Sequence, residues 1–219
     1  MNNLLLKRIM RFKKNLKVKY GGLMSRPTGI NSADTKQTIT DIATKLFEHK
    51  GYNATSMGDI KNTTHYSKGT IYYHFKNKEE LYLHCIKQVS QEFIKAWRTK
   101  SNDEESAEEQ LYIWSDLNHL MQEKPIMNTI HEYFVSTKKN SYEIVIELYE
   151  SEFNIVQEIL KNGVRQGEFN KDLNIYDTSV LLYNFIASLE NITLFGYSER
   201  KEQNNLYKHA IDLILPGLK

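Results

Sequence analysis

The spacing of apolar residues in the first half of the chain predicts helices separated by short polar turns. Between Asp34 and Lys50, apolar side chains recur with the helical period and form one stripe at positions 39, 42, 43, 46 and 47. Gly51 is placed to end this helix, because glycine adopts helix-closing backbone conformations without a steric penalty. A second stripe, at positions 81, 85, 89, 93 and 97, predicts a longer helix.

Two shorter helices are predicted between these two. Ser56, followed three residues later by Asp59, resembles a capping box at the start of the first one. Ser67 is a favourable N-cap for the second, in which Ile71 and Phe75 lie four residues apart and share an inward face. A supporting helix followed by two short helices and a polar turn is the pattern of a helix-turn-helix.

Helical stripes continue to the end of the chain, so the predicted fold class is all-α. We expect a three-helix DNA-binding domain over residues 34–80 and a helical effector-binding and dimerisation domain over residues 81–219. The single Cys85 is interpreted as a buried small hydrophobe, with a redox sensor as the alternative. The later helices are predicted at Leu111–Met121, from Pro125 onward, at Tyr142–Arg165 behind a Ser141 cap, at Leu173–Phe195 and at Glu199–Leu215.

The net charge of +2 hides a strong asymmetry along the chain. Residues 1–33 carry a charge of +8, residues 34–88 carry +2, and residues 89–219 carry −8. A basic front and an acidic back indicate two tasks, with nucleic acid bound at the front. The lone cysteine is typical of a reducing compartment, which indicates the cytoplasm, and no apolar run is long enough to predict a membrane span.

Residues 1–33 form a basic extension with three interpretations. It is a disordered arm that follows DNA, an amphipathic helix on a membrane surface, or a segment preceding a true translation start at Met24. The last interpretation rests on Gly21-Gly22, whose codons can double as a ribosome-binding sequence.

One part of the sequence is specific enough to indicate a family. The segment between positions 36 and 85 resembles the DNA-binding domain of the TetR family of bacterial transcriptional repressors, and is most similar to its multidrug-binding members. Lys61 and the Thr64-His65 pair depart from the usual family residues in and before the turn. The resemblance is carried by Gly51-Tyr52-Asn53-Ala54-Thr55 and by Ser67-Lys68-Gly69-Thr70-Ile71-Tyr72-Tyr73-His74-Phe75-Lys76.

The resemblance implies a set of DNA contacts. Lys68 and Gly69 would meet base edges at the start of the recognition helix, with Tyr72 beside them. Hydroxyls, basic groups and the helix N-terminus would hold phosphates. The alternative for Tyr73 is a core aromatic. The full predicted set is Thr55, Ser67, Lys68, Gly69, Tyr72, Tyr73, His74 and Lys78.

The acidic second half is rich in aromatic residues. Rings beside carboxylates attract organic cations, and Glu132, Glu152 and Glu190 lie on helix faces that also carry apolar residues. For each aromatic residue, core packing is the alternative. The predicted ligand-binding set is Trp97, Trp114, Glu132, Tyr133, Tyr149, Phe153 and Phe185.

The expected function is a ligand-responsive DNA-binding repressor. It would control an efflux or resistance gene and leave its operator when a lipophilic effector binds. In the most specific form of this hypothesis the effector is a cation. We expect a homodimer through the last two helices that buries the stripe from Leu182 to Ile192, with packing of that stripe inside one subunit as the alternative.

Two other functions stay open at this point. One is an architectural DNA-binding protein without an effector, and the other is a repressor that responds to a neutral or acidic metabolite. Metal ligation, cofactor binding and catalysis are not expected, because the sequence has no His-x-x-x-His pair, no Cys-x-x-Cys and no nucleophile motif.

Overall fold

The computed structural model of the chain describes residues 31–102, 105–122, 124–137 and 142–219. Within these ranges the chain forms α-helices and two 3-10 segments and no strand, which confirms the predicted all-α class. Most of the basic extension, residues 1–30, and the Ser141 cap lie outside the described residues.

The helices are numbered here in chain order. They are α1 Ser32–Ala54, α2 Met57–Thr64, α3 Lys68–His74, α4 Lys78–Lys100, α5 Ala107–Gln122, the 3-10 segment Met127–Thr129, α6 Ile130–Thr137, α7 Tyr142–Gln166, α8 Ile175–Ala187, the 3-10 segment Ser188–Phe195 and α9 Arg200–Leu218.

The predicted caps of the first helices are confirmed. Gly51 interrupts α1 with a φ of 82°, so the residues behind it form a separate last turn. Ser56 and Asp59 make the capping box of α2, each accepting from the other's backbone N–H. Ser67 caps α3 by accepting from the N–H of Thr70. These local signals therefore fix where the helix-turn-helix begins and ends.

Two later predictions differ from the structure. Pro125 does not begin a helix, because a turn and a 3-10 segment precede α6, which starts at Ile130. The predicted helix from Leu173 to Phe195 is divided, since α8 ends at Ala187 and continues as a 3-10 segment. Apolar spacing is similar in the two helix types, so the sequence pattern did not separate them.

The buried side chains form two clusters joined by α4. The first unites α1, α2 and α3 with the start of α4 and with Ile126 and Tyr133 of the second half. The second is built from α5, α7, α8 and α9 around Trp114, and α4 contributes Phe93 to it. Cys85 is buried in the first cluster, as the interpretation of a small hydrophobe predicts. Burial raises the pKa of its thiol to about 12.

Most of the predicted dimer stripe faces inward, which agrees with the alternative of packing inside one subunit. Leu182, Ile186 and Ile192 are buried in the second cluster of their own subunit. Of that stripe Phe185 is 40% exposed, and Leu181 and Leu213 are further exposed apolar side chains on α8 and α9. In the part of the chain that the structure describes, no helix combines the length and apolarity needed to cross a bilayer.

Candidate DNA-binding surface and effector site

The recognition helix α3 presents polar and aromatic groups outward from a buried base. Ile71 and Phe75 are fully buried, as their spacing predicts. Lys68 and Gly69 lie exposed at the first turn, and a Cβ at Gly69 would come no closer than 3.7 Å to its nearest neighbour, the Ser67 hydroxyl. The backbone at the start of α3 is therefore open to a partner surface.

The aromatic residues of α3 also face solvent. Tyr73 is 79% exposed, so it is not the core residue that the alternative interpretation expected. The Lys68 ammonium lies 5.5 Å from the ring centroid of Tyr72, which holds the two groups side by side. His74 packs edge-on against Tyr73, and burial and then Lys36 lower its pKa. The lowered pKa favours the neutral imidazole, which can hydrogen-bond but carries no charge.

Thr55 does not support its predicted phosphate contact. It is 1% exposed, and its hydroxyl donates to the carbonyl oxygens of Gly51 at 2.8 Å and Leu46 at 3.3 Å. The hydroxyl is therefore used inside the domain, where it ties the end of α1 to the turn before α2. The correction is that Thr55 is a structural residue.

Lys78 also turns inward, contrary to the prediction. Its ammonium donates to the carbonyl oxygen of Tyr52 at 2.9 Å and lies 4.2 Å from the centroid of the Tyr52 ring. Burial lowers the pKa of Lys78, while the charge of Glu132 opposes that shift. The side chain serves the packing of α4 on the last turn of α1, so the phosphate role is not supported.

Glu132 and Tyr133, predicted to bind a ligand, instead lie at the boundary with the DNA-binding helices. The Glu132 carboxylate accepts from the backbone N–H groups of Tyr52 and Asn53, both at 2.9 Å. Tyr133 is buried in the first cluster, and its hydroxyl donates to Glu79 at 3.0 Å. Both side chains are committed to contacts within the protein, which corrects the prediction.

Other predicted residues meet inside the second half, in what we call the interior aromatic site. Its centre is Tyr183, whose ring centroid lies 6.5 Å from Tyr149, 6.0 Å from Phe153 and 6.1 Å from Trp114. The Tyr183 hydroxyl donates to the carboxylate of Glu152 at 3.3 Å. The interior aromatic site is defined here as Trp114, Tyr149, Glu152, Phe153 and Tyr183.

Glu152 gives this site its chemistry. The side chain is buried, and burial raises its pKa to about 7, although hydrogen bonds with Ser90 and Tyr183 act in the opposite direction. The indole N–H of Trp114 is buried as well and has no acceptor among the described residues. Four aromatic side chains, one of which carries an unpaired donor, thus surround a buried acid, and small-molecule sites usually combine a few polar groups with apolar ones in this way.

The remaining two predicted ligand residues lie elsewhere. Trp97 packs half-buried against the second cluster, and Phe185 is 40% exposed on the outer face of α8. Conversely, the predicted set omits Glu152 and Tyr183, which the structure brings together. Their signal was available, since both stand on apolar helix faces, but helical spacing alone cannot tell which faces meet.

Comparison with known proteins bears on both halves. Residues 39–85 match the sequence model of the tetR family of bacterial regulatory proteins, and residues 89–219 match that of the C-terminal region of QacR-like proteins. The chain is similar to the HTH-type transcriptional regulator QacR of Staphylococcus aureus, with 25% identity over 84% of this chain and 97% of that protein. It is also 21% identical to the fatty acid metabolism regulator protein of Bacillus subtilis, over 82% and 93% of the two chains.

Solved structures share the fold. The Bacillus subtilis transcriptional regulator FadR, in complex with stearoyl-CoA, has a TM-score of 0.71 at 19% identity, over 84% of this chain and 99% of that one. A TetR family regulator from Cytophaga hutchinsonii has a TM-score of 0.67 at 20% identity, over 88% and 98%. The matched family model and the relative QacR describe transcriptional regulators, which are not enzymes. The chain therefore belongs to the TetR family of bacterial regulatory proteins, with a QacR-like C-terminal region.

Proposed function

We propose that this regulator is a homodimeric repressor that a lipophilic organic cation releases from its operator. The observation that carries the proposal is the buried Glu152 carboxyl among the rings of the interior aromatic site. Residues 34–80 are assigned to operator binding, and residues 81–219 to effector binding and dimerisation.

The charge of the effector follows from the cost of burying Glu152. A carboxylate in an apolar surrounding is unfavourable unless an opposite charge accompanies it, which is why its pKa is raised. A bound cation supplies that charge, and the faces of Tyr149, Phe153 and Tyr183 add attraction through their quadrupoles. The site therefore favours cations over anions of the same size.

The DNA role rests on the outward groups of α3. The exposure of Lys68 and of the Gly69 backbone supports contacts with base edges, and the exposure of Tyr73 and the Ser67 N-cap supports contacts with phosphates. A single helix-turn-helix reads few bases, so two copies are expected on half-sites about 34 Å apart. Among the predicted residues, Thr55 and Lys78 are left out of this surface.

The dimer is proposed through the exposed apolar side chains of α8 and α9. Leu181 and Phe185 lie four residues apart on one face of α8, and Leu213 is exposed on α9. A groove of about 610 Å³ between Phe195, Tyr197 and α9 offers space for side chains of a second copy. Monomeric behaviour of the protein in light scattering at micromolar concentration would contradict this interface.

The effector class is tested with two ions of one shape. Calorimetry compares tetraphenylphosphonium, a lipophilic cation, with tetraphenylborate, the anion of nearly the same size. We expect the cation to bind about tenfold or more tightly than the anion. Equal affinities, or stronger binding of an anionic ligand such as stearoyl-CoA, would favour the alternative of a neutral or acidic effector.

The operator role is tested by footprinting on DNA upstream of the protein's own gene and of neighbouring exporter genes. We expect protection of a two-fold symmetric site, and loss of that protection when tetraphenylphosphonium is added. Lys68→Ala should remove operator-specific binding and leave binding to random DNA intact. Equal binding to all sequences without any ligand response would indicate the architectural alternative.

A further inference from the structure

A carboxylate of the effector half, that of Glu132, contacts the backbone of the DNA-binding domain. On the effector side, helix α6 brings the Glu132 carboxylate to the backbone of α1. One carboxylate oxygen accepts from the Tyr52 N–H and the other from the Asn53 N–H, each at 2.9 Å. These two amides begin the short helical turn behind Gly51. We call this arrangement the interdomain clamp.

The same peptide segment is held from its other side by an opposite charge. The Lys78 ammonium donates to the carbonyl oxygen of Tyr52 and attracts Glu132 electrostatically. The Tyr52 ring packs edge-on against two rings that also contact each other, with its centroid 4.8 Å from Tyr82 and 5.0 Å from Tyr133. One segment of α1 is therefore fixed by a carboxylate, an ammonium and two rings, of which Glu132 and Tyr133 come from α6.

The Glu132 carboxylate occupies the space that a side chain at Gly51 would fill. A Cβ built on Gly51 would lie 2.3 Å from Glu132 Oε2, and the φ of 82° is one that side-chain-bearing residues rarely adopt. The close approach of the carboxylate thus requires glycine at this position. The backbone conformation favours glycine by itself, and the carboxylate contact adds a second reason.

A matched carboxylate elsewhere in the chain shows what is particular to Glu132. Glu168 also accepts from two consecutive backbone N–H groups, those of Ala107 at 2.9 Å and Glu108 at 3.3 Å. It caps the start of α5 and joins two elements of the same half. The bonding chemistry is the same, but of these two carboxylates it is Glu132 that connects the effector half to the DNA-binding helices.

We propose that Glu132 is a positioning residue that sets the orientation of the DNA-binding domain relative to the effector domain. The hydrogen bonds are charge-assisted, directional and bidentate, so they restrict rotation about the Tyr52–Asn53 segment more than apolar packing does. The proposal holds whether or not the effector is a cation, because it concerns only contacts in the unliganded protein.

The test measures that orientation directly by pulsed electron spin resonance. Spin labels are placed at Lys76→Cys, behind α3, and at Lys161→Cys on α7, both exposed, with Cys85→Ala removing the native thiol. Dilution with unlabelled protein restricts the signal to pairs within one chain. Glu132→Gln keeps the side-chain shape and removes the charge, and Glu168→Gln is the matched control.

The proposal requires the distance distribution to broaden about twofold or to shift in Glu132→Gln, and to stay unchanged in Glu168→Gln, because a freed domain samples more orientations. Glu132→Asp keeps the charge on a shorter stem, so its distance distribution should lie between those of the parent and Glu132→Gln. This variant also serves as the test if Glu132→Gln does not fold. An unchanged distribution in a folded Glu132 variant, or equal broadening in Glu168→Gln, would overturn the proposal. Circular dichroism melts separate a loss of orientation from a loss of folding.

Discussion

Glu132 and Glu152 are two carboxylates from the same acidic half of the chain with opposite surroundings. Glu132 lies at the boundary with the DNA-binding helices, where two backbone N–H groups meet its oxygens. Glu152 lies buried among aromatic rings, where its hydrogen bonds do not offset burial and its pKa rises to about 7. Backbone N–H groups hold the first carboxylate in place, whereas the hydrogen bonds of the second do not offset the cost of burying its charge.

This difference separates two tasks. A carboxylate that backbone N–H groups hold stabilises one arrangement of the chain, whereas a buried carboxylate whose charge is not offset favours binding of a group with the opposite charge. Burial raises the pKa of Tyr82 in the first cluster, and Tyr149 of the interior aromatic site adds to that shift.

The largest effect is expected from Gly51→Ala. The new methyl group collides with Glu132 and forces an unfavourable φ, so the variant loses the clamp and gains strain. We expect a loss of about 3 kcal/mol in the free energy of unfolding, measured by urea denaturation. Gly58→Ala is the control, since a Cβ there meets nothing closer than 3.5 Å and should stabilise α2 by up to about 1 kcal/mol. If Gly51→Ala leaves the free energy of unfolding unchanged, the interdomain clamp contributes little to stability.

A smaller effect is expected when a change of pH alters the ionisation of Glu152 and with it the affinity for the effector. With a pKa of about 7, the carboxyl is mostly protonated at pH 6 and mostly ionised at pH 8. The affinity for tetraphenylphosphonium should therefore rise about tenfold between these values, as calorimetry would measure. Glu152→Gln should abolish this rise, and Glu132→Gln should retain it. An affinity that does not change with pH would remove Glu152 from the effector site.

The same group makes stability depend on pH in a defined direction. The folded state holds its proton up to a pKa of about 7, above the ordinary value of 4.5, so the folded chain binds more protons between these limits. The contribution of Glu152 to stability is therefore fully present below pH 4.5 and is lost as pH rises toward 7. The difference in unfolding free energy between the parent and Glu152→Gln should follow this window.

The smallest effect is expected from Lys78→Met. Methionine keeps an apolar stem but loses the hydrogen bond to the Tyr52 carbonyl, for an expected loss of about 1 kcal/mol in thermal unfolding. Lys76→Met, at an exposed position, should leave stability unchanged. The salt dependence of operator binding decides between the two roles of Lys78. A slope reduced by about one would restore the phosphate contact that the sequence predicted.

Much of the DNA-binding half could be predicted because its signals are local. Ser56 with Asp59, Ser67, Ile71 and Phe75 act within a few residues of sequence, and each behaves as its spacing predicts. Thr55 shows the limit, because its residue type suits a phosphate but its hydroxyl is already bonded to Leu46 and Gly51.

The effector half was less predictable because its site depends on which helix faces meet. Periodicity places Glu132, Glu152 and Phe185 on partly apolar faces without stating what covers each face. The structure directs one face to the DNA-binding helices, one to the interior and one outward. The long-range bond from Glu132 to the Tyr52 backbone spans 80 positions and has no local signal.

The central claim is that Glu152 detects the effector without taking part in DNA binding. Fluorescence anisotropy of labelled operator DNA, titrated with tetraphenylphosphonium, tests it most directly on the parent protein and Glu152→Gln. We predict that both proteins bind the operator with equal affinity before the cation is added. The cation should then release the DNA from the parent protein and not from Glu152→Gln. Release from Glu152→Gln at the same concentration of cation would contradict it.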